Sequence, residues 1–129
     1  MQQFQTLLAG GDLLSRFLAA LGAGLGILIV ALICAAVPVE VANLPYLRAP
    51  VAATAGLLFV VPASPMAQPW PVIGGTFLSA LLGVLMYQLV ADVIWASALA
   101  VGGSIAVMAV ARAMHPPGCA AALTAVIGP

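Results

Sequence analysis

Charged residues are nearly absent from this 129-residue chain. Three Lys or Arg and three Asp or Glu make up 5% of it, whereas 65% of the residues are hydrophobic. The mean hydropathy is +1.27. A water-soluble domain of this length could not cover its surface with so few polar groups. The composition therefore excludes a soluble globular domain and predicts an integral membrane protein that contacts the lipid bilayer.

The scarcity of reactive groups excludes further classes of function. The net charge is zero, so the chain has no basic patch with which to bind nucleic acid. Cys34 and Cys119 form no metal-ligand or redox motif, and we interpret both as small core residues. Because the single histidine has no nucleophile or carboxylate pair beside it, we expect no enzyme, cofactor or metal. Met1 to Gly11 carries no Lys or Arg, which argues against a cleaved signal peptide.

Three long apolar runs predict membrane-spanning helices. At 1.5 Å per residue, each reaches about 30 Å, the thickness of the hydrocarbon layer. They run from Leu13 to Ala36, from Val72 to Ala91 and from Val93 to Ala111. Small residues within a span allow close helix packing, and the sequence offers Gly22, Gly26, Gly74, Gly75, Ser79 and Gly83 for it. The predicted fold class is an all-α, polytopic transmembrane helical bundle.

Two shorter apolar segments are bounded by proline, and they resemble one another. Pro50–Pro62 aligns with Pro117–Pro129, with identical residues at four of thirteen positions. Each would form about 17 Å of helix, roughly half of the hydrocarbon thickness. Pro38–Ala49 is interpreted as an interfacial connection. Pro62–Pro71 contains four prolines, and we expect it to be turn-rich and extended, without regular helix.

The order of these segments is span, half-helix, span, span, half-helix. It predicts one transmembrane domain over residues 1–129, built from an inverted repeat with halves 13–91 and 93–129. The second half lacks a final span, so we expect either a truncated chain or packing against a second copy in a homo-oligomer. If the short segments cross the membrane, Arg16 and Arg112 share one face, and the positive-inside rule predicts a cytoplasmic N-terminus.

Short, proline-bounded segments in corresponding places of two halves indicate a substrate site in transporters built from repeats. A helix that begins within the membrane leaves its first N–H groups without intrahelical partners, and its dipole places about half a positive charge there. Such an end binds an anion without needing a lysine. The alternative is that the prolines only end neighbouring spans and that both short helices are packing elements.

His115 stands beside the second short segment. Because it precedes Pro116, it is biased toward extended backbone and could lie at the helix cap, near the free N–H groups. There it could donate to an anion, and its protonation could couple transport to protons. The alternative is an interfacial histidine that hydrogen-bonds a backbone carbonyl. Arg112, three residues earlier, could face the same entry or extend to the lipid headgroups.

The remaining candidates are the residues that begin each short helix and the uncharged donors beside them. The predicted substrate-binding set is His115, Pro116, Pro117, Gly118, Cys119, Pro50, Val51, Ala52, Thr54, Ser64, Gln68 and Arg112.

The motifs "HPPGCAAALTAVIG" (from His115) and "SPMAQPWPVIGGTFLSALLGV" (from Ser64) resemble the two characteristic stretches of the HPP family of integral membrane proteins. The resemblance covers the chain from about Phe17 to Pro129. It implies a compact helical membrane domain and, for some members in photosynthetic organisms, nitrite movement across membranes. Thr76 and Trp70 stand where the family pattern has a histidine and an arginine, which weakens the case for nitrite itself.

These observations lead to two functional expectations. The first is a transporter or channel subunit for a small inorganic anion such as nitrite, in a bacterial inner membrane, with its site near mid-membrane. The second is a structural or assembly module that moves no solute.

Overall fold

The computed structural model describes residues 13–36 and 49–128 of the chain. Its helices are α1 (Leu13–Ala36), α2 (Ala49–Val60), α3 (Thr76–Leu89), α4 (Val93–Val110) and α5 (Pro117–Ile127). A π-helical turn, Pro71–Gly75, leads directly into α3. Of the interfacial connection predicted at Pro38–Ala49, residues 38–48 lie outside the described part of the chain. Pro129 also lies outside it. The predicted all-α membrane bundle is confirmed for the described part of the chain; the inverted repeat stays a prediction.

The three long helices match the predicted spans. α1 has the predicted bounds, α4 ends one residue before Ala111, and the second span runs from Pro71 to Leu89. All three are long and apolar enough to cross a membrane. Asp92 begins α4 as its N-cap, since its Oδ1 accepts from the Ile94 N–H at 2.9 Å and the Trp95 N–H at 3.1 Å. The carboxylate thus satisfies two donors that the first turn leaves unpaired.

The two proline-bounded segments are helical and short, as predicted. α2 has 12 residues and α5 has 11, so their lengths are about 18 and 17 Å. Neither helix alone crosses a hydrocarbon layer of about 30 Å.

The segment between α2 and the second span differs from the prediction in one respect. It contains a turn of 3₁₀ helix, Pro65–Ala67, whose N-cap is Ser64. Proline is compatible with the first helical position because the N–H there has no intrahelical partner. The expectation that this segment would contain no regular helix is therefore wrong at Pro65–Ala67, and also at its end, where residues 69–71 are helical.

Small side chains allow α3 and α5 to pack closely. A Cβ atom added at Gly83 would lie 2.8 Å from the Ala122 Cα and would also meet the Ala122 carbonyl oxygen. One added at Gly118 would lie 2.9 Å from the Ser79 Oγ. Helices that touch along their backbones need such small residues. α4 packs against both of these helices and buries every fourth residue: Ala96, Ala100, Ser104 and Met108.

These contacts fix the direction of α5. Its start, at Gly118, lies beside Gly75, and its middle, at Ala122, lies beside Gly83. α5 therefore runs parallel to α3 and enters the bundle from the end at which the second span begins. Gly75 is four residues into that span, so the start of α5 lies about 6 Å along it. This places the start near one end of the spans and not near their midpoint, where we expected the site.

α1 packs against α2 through an aromatic ring and two glycines. The Phe59 ring lies over Gly22 and Gly26, where added Cβ atoms would approach its carbons at 2.7 and 3.3 Å. Gly24, between them, faces open space. The predicted packing role of the Gly22 and Gly26 pair is confirmed. The outer face of α1 exposes large apolar side chains, including Leu13, Phe17 and Leu25, which suit contact with lipid.

We predict that Gly83→Ala destabilises the bundle. Its methyl group would overlap the Ala122 backbone, which cannot move aside as a flexible side chain does, and overpacking of this kind typically costs about 1–3 kcal/mol. The matched control is Gly102→Ala, since nothing lies within 4 Å of a Cβ atom there. Thermal unfolding in detergent should show a lower midpoint for Gly83→Ala alone. Equal midpoints would contradict the close α3–α5 contact.

Candidate functional site

His115 is completely buried, with a relative exposure of 0%. It lies in the turn between α4 and α5, and its ring bridges two other parts of the chain. The Nε2 atom is 3.0 Å from the Thr54 Oγ1 of α2, and the Nδ1 atom is 3.0 Å from the Met66 carbonyl oxygen. The imidazole therefore joins the start of α5 to α2 and to the 3₁₀ turn.

The partners determine the tautomer of the ring. A carbonyl oxygen only accepts, so the Nδ1–H donates to Met66. In the neutral ring Nε2 then carries the lone pair and accepts from the Thr54 hydroxyl. Two alternatives were predicted for His115: a donor to an anion, or a histidine that hydrogen-bonds a backbone carbonyl. The structure has the hydrogen bond to the carbonyl. A bound anion would have to compete with a protein partner for either ring nitrogen.

Thr54 differs from the other hydroxyl residues that hydrogen-bond within these helices. Ser97, Ser104 and Thr124 each donate to the carbonyl four residues earlier in their own helix, at 2.7, 2.6 and 2.7 Å. Such bonds are the usual way to satisfy a hydroxyl in an apolar helix. Thr54 instead reaches across to His115, 61 positions along the chain. It thereby fixes α2 against the start of α5.

The start of α5 offers fewer free donors than we expected. Pro116 and Pro117 have no N–H group. The Gly118 N–H donates to the His115 carbonyl at 2.8 Å, and the Cys119 N–H donates to the Pro116 carbonyl at 3.0 Å. The expectation of free N–H groups beside His115 is therefore wrong at these positions, because the first turn is tightened by bonds to the residue three before. What remains for an anion is the helix dipole.

Arg112 and His115 lie at the same end of the bundle but in different environments. Arg112 is exposed, and it has the positive φ of 51° that follows many helix C-termini. The Ala113 N–H closes this end of α4 by donating to the Met108 carbonyl at 2.9 Å. Nearby, the Trp70 Nε1–H donates to the Ala111 carbonyl at 3.2 Å. The structure does not bring the Arg112 and His115 side chains together on one exposed surface.

Ser64 and Gln68 use their polar groups within their own turn. The Ser64 Oγ accepts from the Met66 N–H at 3.2 Å, and the Gln68 Nε2 donates to the Ser64 carbonyl at 3.3 Å. These bonds shape the turn that presents the Met66 carbonyl to His115. Their contribution is thus to position a partner of the histidine.

Two cavities flank α2. One, of about 560 Å³, lies between α1, α2 and the start of the second span, and it includes Pro50, Val51 and Thr54. Thr54 and Thr76 are the polar side chains among its lining residues. The other, of about 600 Å³, lies between α2 and the start of α5 and is lined by Pro116 and Pro117 among apolar residues. Ala52 and Cys119 line neither cavity.

Sequence reasoning missed two members of this region. The Met66 carbonyl holds the histidine ring, but a backbone oxygen carries no signal in the residue type. Thr76 was noted only as a departure from a family pattern, whereas it lines the cavity next to Thr54. Gly118, predicted to bind substrate, is in the structure a close-packing position against Ser79. No group of three His, Cys, Asp or Glu within residues 13–36 and 49–128 could hold a metal ion.

The architecture defines a class: a helical integral membrane protein with three potential spans and two short helices joined by a buried histidine. The sequence model of the HPP transmembrane region matches residues 9–129, and the chain belongs to this family. It is similar to two transmembrane proteins of Dictyostelium discoideum, with 44% and 39% identity over 107 residues. Those alignments cover 80% of this chain but 37% and 34% of the relatives, so the chain spans about a third of their length. No solved structure matches the chain.

We predict that Thr54→Val lowers the thermal stability of the protein. The substitution keeps the side-chain volume but leaves the buried Nε2 without its donor, a change that typically costs about 1–3 kcal/mol. Thr54→Ser should retain most of the stability. Thr124→Val is the matched control, because that hydroxyl bonds only within its own helix. A Thr54→Val midpoint no lower than that of Thr124→Val would contradict the structural role of the Thr54–His115 bond.

We also predict that Arg112→Gly stabilises the protein. Left-handed backbone costs a non-glycine residue about 1 kcal/mol or slightly more, and glycine avoids this strain. Arg112→Ala keeps the strain and should give no gain. Thermal unfolding of the two variants in the same detergent separates the relief of backbone strain from the loss of the charge, which both variants share. Equal midpoints for Arg112→Gly and Arg112→Ala would contradict the assigned φ.

Proposed function

We propose that this chain forms the membrane-embedded part of a transporter or channel for a small inorganic anion such as nitrite. The observation that carries the proposal is the 3.0 Å bond between Thr54 of α2 and His115 before α5. It joins two helices that are too short to cross the membrane. Discontinuous helices that meet at polar groups are the usual construction of a substrate site within a bilayer.

The electrostatics of this end of the bundle also favour an anion. The positive end of the α5 dipole lies beside His115, and the exposed Arg112 guanidinium stands three residues before it. The described carboxylate, Asp92, caps the other end of α4, about 27 Å away along that helix. The negative end of the α4 dipole lies at the same end of the bundle and offsets that of α5, so the positive charge that an approaching anion would meet there comes from Arg112.

The test is nitrite uptake by proteoliposomes that contain the full chain. Neutral medium keeps nitrite ionised, and protein-free vesicles give the background. We expect uptake above background for the wild type and for Gly102→Ala. His115→Ala removes two hydrogen bonds from the site. A loss of about 1.4 kcal/mol corresponds to a factor of ten, so uptake by this variant should fall at least about tenfold.

Two outcomes of that experiment would contradict the proposal in different ways. Equal uptake by the wild type and His115→Ala would exclude a role for His115 in transport. Absence of uptake by a well-folded wild type, with nitrite, nitrate and chloride each tried, would exclude anion transport by this chain.

A second candidate function is a structural or assembly module. The observation that favours it is that both His115 ring nitrogens and the first N–H groups of α5 already have protein partners. Those polar groups would then serve to hold the short helices together. Co-purification of a stable membrane partner, without stabilisation by any anion, would favour the module over the transporter.

The finer assignments belong to the same proposal. We place the protein in a bacterial inner membrane and assign it no catalytic reaction. Three candidate spans within residues 13–36 and 49–128 are few to enclose a pathway, which supports a homo-oligomer. Cross-linking of the purified protein in bilayers tests the oligomer, with single monomers as the contradicting result.

A further inference from the structure

The Thr54 hydroxyl can serve one partner at a time with its single hydrogen. When His115 is neutral, Nδ1–H donates to the Met66 carbonyl and the Thr54 hydroxyl donates to Nε2. The hydrogen of Thr54 is then occupied. The oxygen of Thr54 can still accept, but it cannot offer a donor to an anion.

Protonation of His115 reverses the direction of this bond. The incoming proton takes the lone pair of Nε2, and the new Nε2–H donates to the Thr54 oxygen. The hydroxyl hydrogen of Thr54 becomes free to donate elsewhere. Thr54 also lines the cavity of about 560 Å³ between α1, α2 and the second span, so that hydrogen becomes available at the cavity wall.

A proton on His115 also requires a counter-ion. No residue of α2 or of the segment from Val61 to Trp70 is acidic, and the titratable residues near the α4–α5 turn are Arg112 and Cys119. The titratable residue of the second span is Tyr87, which lies 16 residues from Pro71 and is therefore far from the end of the span beside His115. Asp92, the described carboxylate, is at the far end of α4. A buried charge without a partner is strongly unfavourable, and a small anion would supply the missing negative charge.

We propose that His115, Thr54 and the cavity beside Thr54 bind a small monovalent anion together with a proton. Neutral His115 keeps the Thr54 hydrogen engaged and the apolar cavity without charge. Protonated His115 supplies both the positive charge and, through Thr54, a hydrogen-bond donor. This inference rests on the proposed function and assigns its coupling ion: the anion and the proton move together, without net charge.

The experiment measures nitrite and protons in the same proteoliposomes. A trapped pH dye reports proton entry, the membrane potential is clamped with valinomycin and potassium, and protein-free vesicles correct for diffusion of the neutral acid. For the wild type we expect one proton to enter with each nitrite. An inward gradient of one pH unit should raise uptake by up to about tenfold, since one proton accompanies each nitrite and a tenfold difference in proton concentration then drives its entry.

Variants separate the hydroxyl from the histidine. Thr54→Val should lose the acceleration by protons, whereas Thr54→Ser and Thr124→Val should keep it. Glu40→Gln should also keep it, because the counter-ion is the transported anion and not that carboxylate. The wild-type ratio of protons to nitrite decides the proposal even if Thr54→Val fails to fold.

The outcomes distinguish this inference from the function on which it rests. Nitrite uptake without proton entry, or full proton acceleration in Thr54→Val, would overturn the coupling and leave transport standing. Loss of acceleration in Glu40→Gln would overturn the role of the anion as counter-ion. No uptake by folded wild type would overturn transport and coupling together.

Discussion

Polar groups that are buried away from water have to be satisfied by protein partners, and among the described residues this requirement falls on α2, the 3₁₀ turn and the start of α5. One buried imidazole meets much of it. The ring of His115 bonds to α2 through Thr54 and to the preceding turn through Met66. Its own carbonyl accepts the first available N–H of α5. Two helices of 12 and 11 residues are thereby connected at their polar positions.

The second requirement is close approach of the helices. In lipid no hydrophobic effect drives helices together, so van der Waals contact between them has to do so. Gly75, Ser79 and Gly83 recur every four residues and form one stripe of the second span, against which Gly118 and Ala122 of α5 lie. This contact determines the depth and direction of α5, and so it places His115 near the end where the second span begins.

Hydropathy and proline predicted most of the fold, because both act locally. The bounds of α1 and α4 and the existence of two short helices follow from apolar runs that proline interrupts. The site was less predictable. A sequence shows that His115 precedes two prolines, but not that its ring turns toward Thr54, nor that its carbonyl occupies the Gly118 N–H. Ser64 and Gln68 were predicted as donors, yet only the turn geometry shows that the Ser64 Oγ accepts from the Met66 N–H and that Gln68 donates to the Ser64 carbonyl.

His115 holds the short helices together and, in the proposed mechanism, also takes up a proton, and both roles depend on the same hydrogen bonds. The chain has one histidine, so ¹⁵N NMR of imidazole-labelled protein in bilayers reports on His115 without assignment. For the uncharged ring, the hydrogen bonds predict a protonated Nδ1 and an unprotonated Nε2 that couples to the Thr54 hydroxyl. A ring protonated at Nε2 alone, or one that exchanges rapidly with water, would contradict the hydrogen bonds on which the whole proposal depends.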